Sequence, residues 1–326
     1  MTLFDLPAEP DEPSRVDEPL PTHEPSHADE SSGSAAPTSD ASPDAEAGAD
    51  APGAEGTHRI RLVVAYDGAP FHGFAANEGV ATVAGTLAEA LATVLGEPVE
   101  LTCAGRTDKG VHARGQVVTF DTAADLAGPG ARARLARSIN RMCAPAIAVT
   151  DVAVVADDVD ARFSATARRY RYLVLNRVAP DPFLADRAWH VDEPLSLPAM
   201  VLGCDAFLGE HDFASFCRRP KRTDGVEASL VRRVTEARWT DEGDGLLGFE
   251  IEASSFCHQM VRAVVGTLVD VGRGRRRPGD LLGILRAGDR QLAGNLAPPH
   301  GLTLWTVRYP GWSTDDVALT RPAPEA

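Results

Sequence analysis

Residues 59–66 read Arg-Ile-Arg-Leu-Val-Val-Ala-Tyr, and ordered structure is predicted to begin with them. Apolar Ile60, Leu62 and Val64 recur with a period of two, which is typical of a strand with one buried face. The residues before this strand have no apolar periodicity, whereas those after it alternate between helix and strand patterns. The stretch therefore marks the start of the folded part of the chain.

Residues 1–57 are rich in Pro, Ala, Asp, Glu and Ser. A segment of this composition cannot bury enough apolar surface to offset the entropy lost on ordering, so we predict that it is disordered. It lacks the basic start and apolar core of a signal peptide, and it is too acidic for a transit peptide. Residues 313–326 are predicted to be a second loose end.

The net charge of −15 is concentrated in this first segment. Residues 1–57 carry fourteen acidic residues and one arginine, which leaves 33 acidic and 31 basic residues in the rest of the chain. Because the folded body is nearly neutral, the acidic total does not exclude a nucleic-acid partner. Its basic runs suit phosphate binding, although a solvated face is the alternative for each run. They are Arg218, Arg219, Lys221 and Arg222, then Arg232 and Arg233, then Arg273 with Arg275, Arg276 and Arg277.

The pattern of the remaining chain predicts an α+β fold. Runs of strands with one or two helices between them favour antiparallel sheets with helices on one face. Apolar spacing predicts helices over 83–94, 135–142, 197–208, 261–268 and 281–286. Strands are predicted at 99–103, 116–120, 147–154, 168–175, 234–239, 246–253 and 303–308.

The five cysteines are odd in number and contain no C-x-x-C pair, so no disulfide framework is expected. Single thiols fit a reducing compartment, and no stretch approaches the roughly 20 apolar residues that cross a bilayer. We therefore expect a cytoplasmic protein that is not a membrane protein. Zinc binding by His211 with Cys217, or by Cys257 with His258, is an alternative, but neither pair has a second correctly spaced pair. No P-loop or G-x-G-x-x-G fingerprint is present, so no nucleotide cofactor is implied.

Residues 103–113 form the most unusual segment, Cys-Ala-Gly-Arg-Thr-Asp-Lys-Gly-Val-His-Ala, between two predicted strands. Functional residues concentrate in such loops. Asp108 is flanked by Arg106 and Lys109, whose positive charge favours the ionised carboxylate, and an ionised carboxylate is a usable nucleophile. The alternative is an Asx turn with a surface ion pair.

This segment, with Gly-Gln-Val-Val-x-Phe at 115–120, resembles the signature of the TruA family of tRNA pseudouridine synthases. The resemblance extends over about residues 59–309, through Tyr-Asp-Gly at 66–68, Ala-Arg-Phe-Ser-Ala-Thr-Ala-Arg-Arg-Tyr-Arg-Tyr at 161–172, His-Asp-Phe at 211–213 and Met-Val-Arg at 260–262. It departs at 71–77, where the family's F-x-G-W-Q-x-Q is replaced by Phe-His-Gly-Phe-Ala-Ala-Asn.

The resemblance implies a role for several residues. Asp108 falls on the catalytic nucleophile, and Tyr170 falls on the tyrosine that contacts the target base. Arg106 is implied to pair with the carboxylate or to help extrude the base. Arg262 is implied to be a further active-site group, and Arg168 is predicted to be another substrate contact.

The implied reaction converts uridine to pseudouridine at positions 38–40 of the tRNA anticodon stem-loop, by a homodimer in which each tRNA touches both subunits. The reaction breaks the glycosidic C–N bond and joins the ribose to C5 of the same base, so no cofactor and no metal is required. Attack by Asp108 at C6 of the base, or action at the sugar, are both open. The implied fold has two ferredoxin-like or RRM-like halves, 58–160 and 161–312, which share a largely antiparallel sheet with an RNA-binding cleft between them.

Two elements are predicted to present side chains to RNA. On the strand 168–175, Tyr170 and Tyr172 share one face, and Arg169 and Arg171 share the other. On the helix that follows residue 257, His258 and Arg262 are four residues apart and share a face.

Two rival functions start from the same residues. A non-catalytic RNA-binding module would keep the sheet and the basic surface, but the presence of Asp108, Arg106 and Tyr170 argues against it. A hydrolase with paired carboxylates would need a second acid across the pocket, for which Asp67 is the nearest candidate.

We hypothesise that the acidic segment 1–57 limits non-specific RNA binding by competing for the cleft. Deleting it should raise the affinity for unrelated RNA, measured by equilibrium binding of the full and shortened chains. Unchanged affinity would contradict the hypothesis.

Overall fold

The computed structural model describes residues 56–219 and 229–317. Most of the predicted acidic segment 1–57, the end of the predicted tail 313–326, and the basic residues Lys221 and Arg222 lie outside these ranges. The described residues form one sheet of eleven strands, with five α-helices.

The strands, in chain order, are β1 (His58–Tyr66), β2 (Thr102–Cys103), β3 (His112–Thr122), β4 (Ile147–Val155), β5 (Ala167–Asn176), β6 (Trp189–Val191), β7 (Gly209–Asp212), β8 (Val231–Gly243), β9 (Leu246–Ala253), β10 (Leu302–Tyr309) and β11 (Trp312–Ser313). The helices are α1 (Val83–Leu95), α2 (Ala131–Cys143), α3 (Leu197–Cys204), α4 (Met260–Gly272) and α5 (Leu281–Ala287).

The sheet is largely antiparallel, as the sequence predicts, with the order β4-β1-β3-β10-β5-β9-β8-β7. Only β3–β10 and β5–β6 pair in parallel among the described strands. Strand β10 comes from the end of the chain and lies between β3 and β5, with Thr303 opposite His112. One sheet therefore runs through both predicted halves, whereas their ferredoxin-like form and the boundary at residue 160 stay predictions.

Strands β1 and β5 have the predicted alternation. In β1, Ile60, Leu62 and Val64 are fully buried. In β5, Tyr170 and Tyr172 are buried on one face of the sheet, while the residues between them are half-buried on the other face. The β5 strand can therefore carry different chemistry on its two faces.

Helix α1 begins and ends where the sequence indicates. Thr82 caps the first turn by accepting a hydrogen bond from Gly85 N at 3.2 Å. Gly96 ends the helix in the left-handed conformation, with φ of 78°. A residue with a side chain rarely adopts that conformation, so glycine at this position stops the helix cleanly.

In helices α2 and α3 the buried positions differ from the predicted ones. In α2, Cys143 is buried and Met142 is 48% exposed, because the spacing of four from Leu135 through Ile139 continues to 143. Helix α3 ends at Cys204, so the predicted Leu208 lies outside it, and Val201 is 44% exposed.

Helix α4 is buried on nearly every side, whereas the sequence predicts one apolar and one exposed face. The reason is a second layer on its outer side. The segment 293–297 crosses α4 so closely that a methyl group on Gly266 would overlap the carbonyl of Asn295. His258 precedes the helix, which begins at Met260 after Gln259. Among residues 56–219 and 229–317, no helix is long and apolar enough to span a membrane.

We predict that Gly266→Ala lowers the free energy of unfolding by about 1 to 3 kcal/mol, because the new methyl group must push the 293–297 backbone away from α4. Gly283→Ala is the matched control, since this α5 glycine has open space around it and alanine favours a helix by up to about 1 kcal/mol. Urea denaturation of both variants measures the difference. Equal free energies of unfolding for the two variants would contradict the close contact between segment 293–297 and α4.

Candidate active site

The loop between β2 and β3 is fixed through its backbone. Ala104 N donates to Val117 O at 2.9 Å, and Gln116 Nε2 donates to Gly105 O at 2.7 Å. Thr107 is held twice: its carbonyl accepts from Phe74 N at 3.0 Å, and its hydroxyl lies 2.8 Å from the hydroxyl of Tyr66. The residue that follows Thr107 is therefore presented from a rigid support.

The segment 71–77, which departs from the family pattern, is part of this support. Phe71 and Phe74 are buried. Gly73 has φ of 108°, and a side chain there would come within 2.9 Å of Thr107 O. His72 Nε2 lies 3.2 Å from Lys109 Nζ, so Lys109 contacts this segment. The altered segment thus keeps the backbone contacts that hold the loop.

His112, at the end of the loop, is a buried and neutral histidine that connects the loop to neighbouring segments. Its Nε2 lies 2.9 Å from His300 O, so Nε2 carries the proton. Nδ1 can then accept from Gly68 N at 3.0 Å and from Arg187 Nη1 at 3.2 Å. Burial, followed by the charge of Arg187, lowers the pKa of His112, which keeps the ring neutral.

Asp108 lies between two nitrogen-bearing side chains, of which Arg262 donates a hydrogen bond to it. Its Oδ2 lies 3.3 Å from Arg262 Nη1, and its Oδ1 lies 3.2 Å from His258 Nε2. The carboxylate side chain is 27% exposed and that of Arg262 is 14% exposed. Arg262 Nε also donates to Ala297 O at 2.8 Å, which fixes the guanidinium. The carboxylate is therefore oriented but still open on one side.

Tyr170 lies beside this carboxylate in the buried layer. Its ring packs edge-on against Phe256 with centroids 5.1 Å apart, and it is 8% exposed. Burial raises the pKa of its phenol, and the charge of Asp108 raises it further. The phenol therefore stays protonated and can act as an apolar surface with a hydroxyl donor.

Arg168 lies under the loop rather than in the opening. It is 7% exposed and donates five hydrogen bonds to backbone carbonyls. Two reach Ala104 O, at 3.1 and 2.8 Å, and the others reach the carbonyls of Arg162, Ala165 and Ser254. The predicted substrate contact is not supported by this position, because Arg168 acts through the backbone of the loop.

Arg106 is exposed on the same loop. The structure therefore brings together Asp108, Tyr170 and Arg262, leaves Arg106 exposed on the same loop, and buries Arg168 against the loop backbone. His112 is a functional candidate without a role in the sequence analysis, although it stands in the 103–113 segment. His258 is predicted from its spacing to share a helix face with Arg262, whereas the structure places it before the helix and 3.2 Å from Asp108.

The predicted phosphate-binding arginines are largely paired with acids. Arg169 contacts Glu236 at 2.6 Å and Glu252 at 3.1 Å, and Arg171 contacts Glu242 at 2.9 Å. Strands β8 and β9 supply these glutamates on the same face of the sheet. The run at 273–276 is likewise paired, with Arg273 and Arg275 on Glu193 and Arg276 on Asp270. These five arginines are thus paired with acids.

The expectation of single thiols is wrong for two cysteines. Cys217 and Cys257 are joined in a disulfide, with Cα atoms 5.9 Å apart. The fold brings together cysteines 40 residues apart, which their spacing in sequence does not reveal. Among the described residues, no group of three His, Cys, Asp or Glu side chains could hold a metal ion. Cys103 is free, and burial raises its pKa to about 11, so its thiol stays protonated.

We predict that Arg168→Lys lowers the free energy of unfolding by about 2 to 4 kcal/mol, because a lysine cannot satisfy the four backbone carbonyls that accept from Arg168. Arg169→Lys, one residue away on the ion-paired face, should cost less than about 1 kcal/mol. Chemical denaturation compares the two variants. A similar loss of stability in both variants would show that the guanidinium of Arg168 is not needed to satisfy these carbonyls.

Known proteins are similar in sequence to this chain. A family model described as tRNA pseudouridine synthase matches residues 204–310. The tRNA pseudouridine synthase A of Frankia casuarinae is 41% identical over 262 residues, covering 78% of this chain and 91% of that protein. The protein of the same name from Leifsonia xyli subsp. xyli is 41% identical over 269 residues, covering 77% and 92%. The one from Brevibacillus brevis is 39% identical over 256 residues, covering 77% and 99%.

A solved H/ACA RNP bound to a substrate RNA containing 2′-deoxyuridine is a remote match, with a TM-score of 0.29 and 11% identity over 64% of this chain and 44% of that chain. Identities of about 40% over nearly the full length of these three relatives show the family to which the chain belongs. The chain belongs to the tRNA pseudouridine synthase A family of isomerases.

Proposed function

We propose that this enzyme isomerises uridine to pseudouridine at positions 38–40 of the tRNA anticodon stem-loop, with Asp108 as the nucleophile. The observation that carries the proposal is the environment of this carboxylate. Asp108 is partly exposed, is oriented by Arg262 and His258, and lies beside the buried ring of Tyr170.

The reaction needs a target base swung out of its stack, an anionic group beside it, and walls that retain the freed uracil. Tyr170 and Phe256 supply an aromatic wall next to Asp108. Stacking of a base on an aromatic ring contributes about 1 to 3 kcal/mol. Attack at C6 of the base and attack at C1′ of the ribose both start from this carboxylate, and in both the base turns and C1′ is joined to C5.

The site draws on both predicted halves. Asp108 comes from the loop before β3, whereas Tyr170 and Arg262 come from β5 and α4. Strand β10 joins β3 to β5 at this level of the sheet. We therefore propose that tRNA lies over the junction, where Arg106 at the rim contacts phosphate or the extruded nucleotide.

The proposed homodimer would let each tRNA touch both subunits. On the connection between β5 and β6, Phe183 is 93% exposed and Val178 is 86% exposed. Large apolar side chains that are close together in an exposed connection are candidates for a protein interface. We place the enzyme in the cytoplasm, where its proposed tRNA substrate is processed.

The hydrolase alternative has less support. The neighbours of Asp108 are the nitrogen donors of His258 and Arg262, whereas a glycosidase needs a second carboxylate across the sugar. Asp67, the candidate for that role, is paired with Arg187 at 3.0 Å and accepts from Ala69 N. Asp67 is therefore engaged in holding the start of a turn.

The proposal predicts that Asp108→Ala lowers tritium release from C5-labelled uridine in an anticodon stem-loop by at least about a thousand-fold, with RNA affinity nearly unchanged. Asp121→Ala is the matched control, because this carboxylate forms a surface ion pair with Arg59 and should keep full activity. Substrates that carry a single uridine at position 38, 39 or 40, or outside them, map the target.

Each other outcome contradicts a part of the proposal. Turnover by Asp108→Ala would exclude the nucleophile. Binding without turnover by the unaltered enzyme would favour the non-catalytic module, and release of free uracil would favour the hydrolase. Modification only outside positions 38–40 would exclude the proposed target.

A further inference from the structure

We propose that His258 is a catalytic residue of this site, the base that removes the proton from C5 of the uracil after the new carbon–carbon bond has formed. The inference rests on the proposed function, because it concerns the last step of the same reaction.

His258 lies on the open side of the carboxylate. Its Nε2 is 3.2 Å from Asp108 Oδ1, and its side chain is 49% exposed. Arg262 takes the other oxygen from the buried side, with a side chain that is 14% exposed. Of the two groups that contact Asp108, His258 is therefore the one that a bound nucleotide can reach.

The backbone around His258 is fixed, although its ring is not covered. His258 O accepts from Arg218 N at 3.0 Å, and Cys257 O accepts from Met260 N at 3.1 Å. Cys257 is also bonded to Cys217. Gln259 turns the chain into α4 with φ of 65°. The imidazole is thus presented from an anchored segment, beside Phe256, which packs on Tyr170.

The reaction needs a base at this stage because C5 still bears its hydrogen when it has bonded to C1′. The other groups at the site are poorly suited to accept that proton. The guanidinium of Arg262 has no acceptor, and the phenol of Tyr170 is protonated. On the C6 route Asp108 is bonded to the base and cannot accept the proton, whereas on the sugar route its carboxylate is free again once C1′ has bonded to C5 and is the competing acceptor. A neutral imidazole has a free lone pair on one nitrogen while the other donates a hydrogen bond.

The step balances for both routes. His258 takes the C5 proton at Nδ1, and the electron pair of the C5–H bond becomes the C5–C6 double bond. Where Asp108 is bonded to C6, the C6–O bond breaks and its pair returns to the carboxylate. Where Asp108 has acted at the sugar, the pair of the C6=N1 bond moves onto N1. N1 gains a proton in each case, so the isomer has the composition of uridine. The carboxylate then stabilises the imidazolium through Nε2–H.

Two substitutions separate a base from a residue that only orients Asp108. In His258→Gln the amide can still donate a hydrogen bond to the carboxylate but cannot take a proton. In His258→Ala both capacities are lost. His211→Gln is the control, since this histidine lies on β7 with its Nε2 2.8 Å from Leu208 O.

The experiment is a single-turnover reaction with the full chain and an anticodon stem-loop RNA labelled at C5 with deuterium or tritium. We expect both His258 variants to release the C5 label about a hundred-fold more slowly or worse. Deuterium at C5 should slow His258→Gln more than it slows the unaltered enzyme, because proton removal has become limiting. Added imidazole should restore part of the rate of His258→Ala.

Normal release by His258→Gln, with loss in His258→Ala alone, would overturn the proposal and leave an orienting role. Slow release by His258→Gln without a larger deuterium effect would also overturn it. Failure of the proposed function is distinguishable, because then the unaltered enzyme releases no label or Asp108→Ala still releases it.

Discussion

The candidate site depends on one buried cation. The guanidinium of Arg168 joins Ala104, at the start of the catalytic loop, to Arg162 and Ala165 in the turn before β5 and to Ser254 after β9. A buried charge without partners would be costly, and here the partners are carbonyl dipoles rather than an acid. Burial lowers the pKa of Arg168, yet a guanidinium remains charged in proteins, so the carbonyls must stay around it. The loop is therefore tied to the sheet at the point from which Asp108 projects.

Strand β5 has buried side chains on one face and ion-paired arginines on the other. On one face of β5 stand Arg168, Tyr170 and Tyr172, which are buried. On the other face Arg169 and Arg171 form ion pairs with glutamates of β8 and β9. Five arginines of the predicted phosphate-binding set are paired with acids in this way, namely Arg169, Arg171, Arg273, Arg275 and Arg276. The arginine that contacts Asp108, Arg262, is distinguished by its position and not by membership of a basic run.

Much of this arrangement follows from local sequence, and the remainder does not. The period of two in β1 and β5, the caps of α1 and the polar loop at 103–113 are local features, and the structure has them. Even the burial of Arg168 has a local signal, since it shares a period-two face with Tyr170 and Tyr172. In contrast, the insertion of β10 between β3 and β5, the layer that covers α4, and the pairing of Cys217 with Cys257 join distant segments. Periodicity reports which face is buried, but not what buries it.

His112 and His258, the two histidines near the catalytic loop, have different environments, and the environment indicates a different role for each. His112 has both ring nitrogens engaged and is 1% exposed, so burial holds it neutral and its role is to link the loop to β10 and the β5–β6 connection. His258 is half-exposed and its Nε2 meets the carboxylate that is proposed to react. Both lie within four residues of a site residue, His112 after Asp108 and His258 before Arg262. A proton can be exchanged only by a ring that the substrate can reach, and of the two only His258 has a side chain open to the solvent side of Asp108.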